Sequence, residues 1–264
     1  NAPGPCSGKL ATCLSQLYHE HKRGIKAGYA KFETFPVWDL PLMHPVNVSY
    51  EAATADLNDI NMIDSFHLEE YNVKAVNYNR DISAFPILKN ILKTITGKEI
   101  YKSPTDMGVN MISQCIIDDE VAQNAAKMEI IRRYYSAVCD FKKGIGTEQA
   151  VETIKKLMNN VGITTADREI IKYAIEKAET TNANALAIQL NDGKIITGKE
   201  SDLLSASSAL LLNAIKYISG IPDDVYLLAP SVLESILSVK QKTSYKRKYS
   251  LNLPEVLIAL RDKA

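Results

Sequence analysis

The sequence predicts an α/β protein, and three observations lead to that fold class. A glycine-rich turn, Gly4–Lys9, opens directly into a helical pattern, which is the layout of a P-loop-like strand–turn–helix region. The middle of the chain, between Asp118 and Glu179, is a series of helical patterns separated by glycines. The last part reads as hairpin, helix, strand and helix, and this order predicts a C-terminal α/β layer unit.

The composition is that of a globular protein and argues against several functional classes. Of the 264 residues, 46% are hydrophobic and 23% charged, with 31 basic and 31 acidic side chains. A chain without net charge is a poor candidate for bulk binding of nucleic acid or of an anionic membrane. No apolar run approaches the length of a membrane span. The four cysteines form no CxxC pair, so we expect reduced thiols and a cytoplasmic protein.

The first predicted region, residues 1–115, combines helices and strands. Apolar residues recur at helical spacing from Lys9 to Arg23, and Gly24 ends that pattern. Apolar periodicity and the positions of glycine and proline define the other elements. They are a strand in Ile25–Phe35, an ordered proline-rich loop over 36–45, a helix over Tyr50–Ile60, a strand at Val73–Asn77 and a helix over Ser83–Ile95.

Residues 116–181 are predicted to form a helical segment, and residues 182–264 a C-terminal α/β subdomain. Polar capping residues begin the helices, and glycines follow the ends of several of them. The predicted elements are helices over 118–143, 147–160 and 164–179, strands at Ala185–Leu190 and Lys194–Gly198 joined by a turn at 191–193, a helix over Ser201–Ser219, a strand at Val225–Ala229 and a helix that begins at Ser231.

The turn at the start of the chain is the first candidate binding site. Gly4 and Gly8 let backbone N–H groups approach an anion, and a helix start adds unbonded N–H groups and the positive end of the helix dipole. Lys9 supplies a positive charge and Ser7 a further donor. The spacing is one residue shorter than the Walker pattern, and Leu10 replaces the hydroxyl residue that binds Mg²⁺ there. The turn predicts a phosphate or nucleotide site without a defined place for Mg²⁺, and the alternative is a turn without a ligand.

A polar loop over Lys102–Asn110 is the second candidate site, because loops this dense in donors and acceptors often carry function. The candidate residues are Lys102 and Asp106 for catalysis, and Thr105, Asn110 and Arg80 for binding the cofactor. The guanidinium of Arg80, which follows a predicted strand, is suited to clamp a phosphate or a carboxylate. The alternatives are a loop whose side chains only cap turns, and a surface arrangement of Arg80 with Asp81.

No metal site is predicted from the charged and histidine residues. The three carboxylates at 118–120 match a helix start, where the dipole favours negative charge, better than they match a Mg²⁺ site. A structural role is favoured for each of the four histidines, and the alternative is that one of them is a general base or a ligand; they are His19, His21, His44 and His67. The basic run over 240–248 is predicted to be a solvated surface segment.

Several segments resemble a bacterial family called domain of unknown function 1846. They are Ala2–Glu20, Tyr50–Asn58, Lys102–Asn110, Ile130–Tyr135 and Leu203–Lys216. The resemblance covers nearly the whole chain. It implies relatives about twice as long, with an α/β region and a strand before the turn, so we expect this chain to be part of a longer protein. It implies no established reaction.

The order of elements from residue 185 to 241 also resembles the core of the cytidine deaminases. The zinc-binding histidine and cysteines of that family are absent from this segment. The likeness therefore implies a related fold without deaminase chemistry.

Two functions from different classes are consistent with these features. The first is an enzyme that binds a nucleotide or a phosphorylated small molecule and catalyses phosphoryl transfer or a ligase reaction. The second is a non-catalytic ligand-binding or assembly protein, in which the helix over Ser201–Ser219 packs in a homo-oligomer interface. The sequence names neither a particular cofactor nor a substrate, and it leaves open whether the protein is an enzyme.

Overall fold

The computed structural model describes residues 8–31, 36–243 and 249–261. The chain divides into two compact units, residues 1–164 and 165–264. Each unit combines helices with a two-stranded antiparallel sheet, in agreement with the predicted mixture of helices and strands. The division falls inside the segment predicted as one helical region, and the division into three regions stays a prediction. Within the described ranges, no helix has the length and apolar character that crossing a membrane requires.

The elements of the first unit follow the apolar patterns and capping residues of the sequence. In the described residues they are α1 (Lys9–Lys22), α2 (Pro45–Ala53), β1 (Asn61–Ile63), α3 (Ser65–Tyr71), β2 (Val76–Tyr78), α4 (Asn79–Thr96), α5 (Asp119–Lys142) and α6 (Glu148–Asn160). Side-chain oxygens of Asp118 and Thr147 accept backbone N–H groups in the first turns of α5 and α6, at 3.1 and 3.2 Å. These caps satisfy N–H groups that a helix start leaves unbonded, so both helices begin where the sequence predicts.

The proline-rich loop of the first unit is held against the β1–β2 ribbon. The backbone N–H of Val76 in β2 donates to the Trp38 carbonyl at 2.8 Å. The fully buried Asn47 side chain accepts from the Val37 N–H at 2.6 Å and donates to the Val37 carbonyl at 3.1 Å. A two-stranded ribbon is marginally stable alone. The loop therefore supports the ribbon, and the prediction of an ordered loop is confirmed for residues 36–44.

A hydrophobic cluster joins α1, α4 and the loop that follows α4. Its buried members are Leu17, Phe85, Leu92 and Met107. Half-buried Tyr101 packs against the same cluster. Each fully buried side chain of this size contributes roughly 1.5–3 kcal/mol by leaving water. The cluster thus fixes α1 relative to the polar loop over Lys102–Asn110.

The strand predicted in Ile25–Phe35 is wrong for residues 25–31, which have no regular structure, while residues 32–35 lie outside the described ranges. A side chain takes the place of a partner strand here. The Tyr101 hydroxyl accepts from the Tyr29 N–H at 2.7 Å and donates to the carbonyl of the same residue. One ladder-like bond remains, from the Lys31 N–H to the Met107 carbonyl at 2.8 Å. The aromatic composition predicted an extended segment but not this form of attachment.

The helix predicted over Tyr50–Ile60 is displaced toward the N-terminus. It begins at Pro45, because the backbone angle of proline suits the first helical position, and the His44 side chain accepts the Val46 N–H at 3.3 Å. It ends at Ala53. Asn58, in the left-handed conformation at φ 55°, turns the chain before β1. Pro45, the third proline of the loop, therefore starts a helix that the apolar pattern predicts to begin five residues later.

The second unit is built around a hairpin. Its described elements are α7 (Ile170–Thr181), β3 (Ala185–Gln189), β4 (Ile195–Lys199), α8 (Ala206–Ile218), α9 (Pro230–Thr243) and α10 (Leu253–Arg261). The predicted hairpin is confirmed. Its turn is closed by a bond from the Leu190 N–H to the Lys194 carbonyl at 2.9 Å, and Gly193 adopts the left-handed φ of 83°. A hydrophobic cluster, with Leu251 and Val256 fully buried, joins α8, α9 and α10.

The strand predicted at Val225–Ala229 is wrong, since residues 225–229 form bends and irregular structure. Pro222 and Pro230 bound this segment, and the Val225 N–H donates to the Pro222 carbonyl at 3.1 Å, which bends the chain. Within the segment Leu228 is buried in the hydrophobic cluster. The apolar run therefore supplies core contacts without joining the sheet. The predicted order of hairpin, helix, strand and helix therefore lacks, in these residues, the strand that was expected after α8.

The first testable prediction concerns the contact of α8 with β4. A Cβ atom at Gly198 would lie 2.5 Å from the Leu210 Cα, because the backbone of α8 rests directly on the strand. We expect Gly198→Ala to lower the free energy of unfolding by about 1–3 kcal/mol, or more if the helix cannot shift. Chemical denaturation followed by circular dichroism measures this loss.

Gly28→Ala is the matched control, because a Cβ there would meet only the Tyr101 hydroxyl, at an ordinary 3.4 Å. We expect a change below about 1 kcal/mol. Equal losses in the two variants would contradict a specific close approach at Gly198.

Candidate functional site

The structure brings part of the predicted polar loop against α3. The resulting group of side chains is called the His67 cluster below. Its members are Asp64, His67, Ser103, Thr105 and Asp106. Thr105 and Asp106 are predicted site residues, Ser103 belongs to the predicted polar loop without an assigned role in binding or catalysis, and Asp64 and His67 lie outside that loop. The cluster lies in the first unit, at the C-terminal end of β1 and at the start of α3.

Asp64 is a charged-type member of the cluster with no exposed surface. Its carboxyl group caps α3 by accepting the His67 N–H at 3.1 Å. It also accepts the Thr105 N–H at 3.2 Å and the Thr105 hydroxyl at 2.5 Å. The last distance is in the range of a charge-assisted bond. Asp64 therefore fixes the polar loop onto α3, and the hydroxyl of Thr105 is fully engaged in that contact.

Ser103 and His67 form a hydrogen-bonded pair inside the cluster. The Ser103 hydroxyl oxygen lies 3.0 Å from His67 Nδ1 and accepts the Asp106 N–H at 3.2 Å. Ser103 is fully buried, so this contact gives its hydroxyl a hydrogen-bond partner away from water. The tautomer of the ring decides which of the two atoms donates. Asp106 Oδ1 lies 3.8 Å from the same ring nitrogen.

The Asp106 carboxylate organises its own loop. It accepts the N–H groups of Lys102 and Ser103 at 2.8 and 3.0 Å, and the hydroxyl of Tyr71 at 3.1 Å. Partial burial and then the charge of Asp106 raise the pKa of Tyr71. The carboxylate of Asp106 therefore makes the turn-capping contacts of the alternative prediction, in which the side chains of this loop cap turns. Its second oxygen, Oδ1, faces the imidazole of His67.

Aromatic rings border the cluster on the side of the proline-rich loop. Trp38 meets the His67 ring edge-on, with centroids 6.2 Å apart, and Tyr71 lies 4.7 Å from the same ring. The Trp38 Nε1–H is buried and has no acceptor among the residues that the structure describes. Trp38 and Tyr71 therefore both pack against the His67 ring, and a buried indole N–H lies beside the cluster.

Lys102 is held as a cation at the edge of the polar loop. Its ammonium lies 3.1 Å from Glu99, which also meets Lys89 at 3.0 Å. Hydrogen bonds from Lys89 and then from Lys102 lower the pKa of Glu99 to about 2. Glu99 in turn raises the pKa of Lys102. A lysine with a raised pKa stays protonated, so Lys102 is suited to neutralise negative charge and unsuited to act as a base.

The other two predicted ligands of the cofactor, Arg80 and Asn110, have protein partners in the structure. Arg80 lies 3.6 Å from Asp59 and 3.8 Å from Asp81, and its guanidinium is half exposed. The surface arrangement of Arg80 with Asp81 is therefore present, with Asp59 as an additional partner. The Asn110 amide donates to the Tyr50 hydroxyl at 3.0 Å. None of these contacts is to a member of the His67 cluster.

The predicted phosphate turn is described only at its end, because Gly4 and Ser7 lie outside the described residues. Gly8 adopts φ 81°, a left-handed conformation, and stands at the N-cap of α1 without a side-chain capping bond. The Gly8 carbonyl accepts the N–H and the hydroxyl of Thr12, each at 3.0 Å. Lys9 is exposed, and the first turn of α1 carries no acidic residue. The predicted helix start is therefore confirmed, while ligand binding at the turn stays a prediction.

The carboxylates at residues 118–120 form the predicted helix start. Asp118 caps α5, and Asp119 lies 3.0 Å from Nε2 of His44. Hydrogen bonds from Gln123 and then from His44 lower the pKa of Asp119. This contact ties the start of α5 to the start of α2. Across the described ranges, no group of three His, Cys, Asp or Glu side chains is arranged to hold a metal ion.

Three functional candidates, Asp64, His67 and Ser103, were missed as a group by sequence reasoning. Asp64 has a local signal, because it precedes Ser65 at a helix start. His67 and Ser103 are 36 positions apart and have no shared pattern. Only the tertiary fold brings them together.

We predict that Asp64 stabilises the first unit. Asp64→Asn replaces one carboxylate oxygen by an N–H₂ group, so either the His67 N–H or the Thr105 N–H loses its acceptor. The expected loss in the free energy of unfolding is about 3 kcal/mol. Asp56→Asn, at an exposed site, serves as the control and should cost less than about 0.5 kcal/mol. A loss for Asp64→Asn as small as that for Asp56→Asn, measured by urea denaturation, would refute the anchoring role.

A second prediction concerns alkaline pH. Burial, and then the negative charge of Asp59, raise the pKa of Tyr78 to about 12. The folded-state pKa lies above the unfolded value of about 10, so the stabilisation by the neutral phenol is complete below that value. It is lost as the pH rises from about 10 through 12, at a cost of up to about 2 kcal/mol.

Tyr78→Phe should remove this part of the pH dependence when the free energy of unfolding is measured between about pH 9 and 12. Tyr226→Phe, at a surface site of the other unit, leaves Tyr78 in place and should retain the wild-type dependence. Identical alkaline profiles for wild type and Tyr78→Phe would show that the phenol does not contribute.

Comparisons with known proteins cover both units. The family model "Domain of unknown function DUF1846, N-terminal" matches residues 1–162, and "Domain of unknown function DUF1846, C-terminal" matches residues 166–263. The boundary between these matches coincides with the boundary between the two units.

Similar proteins named UPF0371 occur in several bacteria. The chain is 54% identical over 268 residues to one from Clostridium botulinum (strain Alaska E43 / Type E3), 53% over 272 residues to one from Fusobacterium nucleatum, and 56% over 259 residues to one from Streptococcus thermophilus (strain CNRZ 1066). These matches cover 98% of this chain and 53%, 54% and 52% of the respective relatives. The chain spans about half the length of the curated relatives it matches.

Proposed function

Because the chain belongs to the family described as domain of unknown function DUF1846, a description that assigns no reaction, we propose a function from the chain's own residues. The proposed function is the binding of a nucleotide or another phosphorylated small molecule at the start of α1. The single observation that carries this proposal is the uncapped helix start at Gly8 and Lys9.

The helix start supports an anion for electrostatic and steric reasons. The N-cap residue Gly8 has no side chain, so among the described residues no side-chain cap occupies the N–H groups of the first turn of α1. Gly8 adopts a left-handed φ that side chains disfavour, and a Cβ there would meet no described atom within 4 Å. Lys9 adds a full positive charge beside the partial charge of the dipole. In the sequence Gly4 and Ser7 precede this start and complete the proposed P-loop-like turn.

The magnitudes indicate that the turn acts with other groups. An anion at a helix N-terminus gains about 0.3–1 kcal/mol, and up to about 2 kcal/mol in a partly buried geometry. A dissociation constant of 1 mM requires about 4 kcal/mol. The turn therefore needs Lys9 and at least one further cation or donor, and we propose that Lys102 is one such cation.

The remaining predicted site residues enter the proposal with defined roles. Asp106, hydrogen-bonded to its own loop and facing His67, is the proposed proton acceptor of the site, and Lys102 neutralises charge beside it. Arg80 and Asn110 are proposed to reach the ligand only by exchanging the protein partners that they have now. Thr105 is proposed to act through Asp64, by holding the loop in place. Phosphoryl transfer or a ligase reaction is the chemistry that such a ligand would serve.

The same proposal covers the place of Mg²⁺, the fold of the second unit and the cellular compartment. Leu10 leaves no hydroxyl for Mg²⁺ at the usual position, so any Mg²⁺ would be held by the nucleotide and other groups. We propose that the hairpin and α8 correspond to part of a fold like the core of the cytidine deaminases. The cysteine usage supports the cytoplasm as the compartment.

The alternative is a non-catalytic ligand-binding or assembly protein. It is favoured by apolar side chains at the end of α8, where Tyr217 and Ile218 are 44% and 70% exposed. In that case the turn at the start of α1 is structural. Binding of a phosphorylated ligand separates the two functions.

The test is thermal unfolding with and without ATP, GTP and inorganic phosphate, on both this chain and a full-length family member. At a concentration near 100 times the dissociation constant, a ligand contributes about 2.7 kcal/mol and should raise Tm by about 5 °C or more. Lys9→Ala should reduce the shift strongly, because it removes the charge at the helix start.

Lys22→Ala removes an equally exposed lysine from the other end of the same helix, and it should retain the full ligand-induced shift. The absence of any shift in the full-length protein, or equal shifts in Lys9→Ala and Lys22→Ala, would refute phosphate binding at this turn.

A further inference from the structure

The outer edge of the hairpin in the second unit has a defined set of backbone groups. The Glu200 N–H donates to the Asn184 carbonyl at 2.7 Å, and the Leu190 N–H to the Lys194 carbonyl at 2.9 Å. In an antiparallel pair, bonded and non-bonded positions alternate along the strand. The even-numbered residues of β3 therefore bond to β4, and the odd-numbered residues direct their N–H and C=O groups outward. These outward groups of Ala185, Ala187 and Gln189 are called the β3 edge.

The β3 edge is unpaired in the structure. Among the described residues, no backbone or side-chain group bonds to the outward N–H or C=O groups of Ala185, Ala187 or Gln189. A row of such groups is a template for another strand. Since the edge belongs to a sheet of only two strands, an added strand would also strengthen the hairpin.

The β3 edge also lacks the devices that usually prevent pairing. Exposed edges are commonly protected by a charged side chain, a proline, or a bulge. The strand reads Ala-Leu-Ala-Ile-Gln, and its register with β4 is continuous over all five residues. It carries neither charge nor proline. The edge therefore offers unbonded backbone groups in a regular register, and neither a charged side chain nor a proline of the strand opposes pairing.

Apolar side chains lie beside this edge. Leu186 and Ile188 pair with Gly198 and Ile196, so they lie on the face of the sheet that meets α8. They remain 43% and 41% exposed. Ile188 also borders a groove of about 680 Å³, together with Tyr217 and Ile218 of α8. The open edge thus continues into an apolar surface.

We propose that the β3 edge pairs with the β3 edge of a second copy of the chain. The two strands run antiparallel across a two-fold axis at Ala187 and extend the hairpins into one four-stranded sheet. In this register Leu186 lies opposite Ile188 of the partner subunit, and Ile188 lies opposite Leu186 of the partner subunit. The proposal is independent of phosphate binding.

A second copy is the partner that suits this edge best, because the register is self-complementary. Leu186 and Ile188 each lie opposite an apolar side chain of the second copy, and such cross-strand pairs stabilise a sheet. An uncharged strand meets its own copy without the like-charge repulsion that opposes self-pairing. Two-fold dimers are also the commonest closed assembly of soluble proteins. The groove beside Ile188 adds contact area beyond that of the strands.

The first test removes one outward hydrogen bond. Ala187→Pro eliminates an outward N–H without deleting a bond to β4, since prolines are tolerated where the N–H of an edge strand faces away from the sheet. Sedimentation velocity should show a dimer for the wild-type chain at about 100 µM and mainly monomer for the variant. Unchanged circular dichroism shows that the variant is folded.

A charge exchange tests the register and does not depend on proline. Leu186→Glu and Ile188→Lys each place a charge opposite an apolar residue of the partner, and each should raise the dissociation constant of the dimer at least about tenfold. The double variant pairs opposite charges at both symmetric positions and should recover most of the wild-type affinity. Both sites are exposed in the single chain, so the folded monomer should tolerate all three variants.

Four outcomes would overturn the proposal. They are a wild-type chain that is monomeric at about 100 µM, a folded Ala187→Pro variant that remains dimeric, a double variant that gains nothing over the single variants, and a full-length family member that is monomeric while its β3 amides resist hydrogen exchange. The last result would assign the edge to another segment of the longer polypeptide. Concentration-dependent protection of the amides of Ala187 and Gln189 is the result expected for pairing between copies.

Discussion

The carboxyl group of Asp64 accepts three hydrogen bonds in a place with no access to water. A buried carboxyl group is tolerated only when its oxygens are bonded, and here all three donors belong to His67 and Thr105. The contact fixes the start of α3 and the polar loop at the same time. His67 can then meet Ser103, and Asp106 can face the same ring. The geometry of the candidate site therefore depends on one buried acceptor that is not itself placed to meet a ligand.

Local signals predicted where α5 and α6 begin. Asp118 and Thr147 act within one turn of their own position, so the sequence near each helix start contains the whole interaction. The predictions failed where distant residues decide the structure. Tyr101 bonds to the backbone of Tyr29 from 72 positions away, and this contact replaces the strand that the aromatic composition suggested. At Val225–Ala229 the apolar pattern correctly indicated burial of Leu228, but flanking prolines prevented a strand.

The candidate site was predictable in its location more than in its arrangement. The density of polar residues from Lys102 to Asn110 identified the right loop. Composition does not reveal which polar groups will satisfy one another, and in the structure Asp106 accepts from the backbone of its own loop. Nothing in the sequence distinguished His67 from the other histidines, because its partner Ser103 lies in a different segment. Glu99 raises the pKa of Lys102 and also contacts Lys89, and sequence spacing alone does not reveal this shared contact.

The hairpin has a further consequence for how the chain acquires its structure. Its two strands are joined by a short turn, so it closes at a small cost in loop entropy and can form early. Its outer edge stays unpaired in the folded chain among the described residues, so completion of the fold does not protect it. Refolding yield therefore depends on two competing reactions of the same edge, pairing in register with one other copy and irregular aggregation with many, and chain concentration affects both.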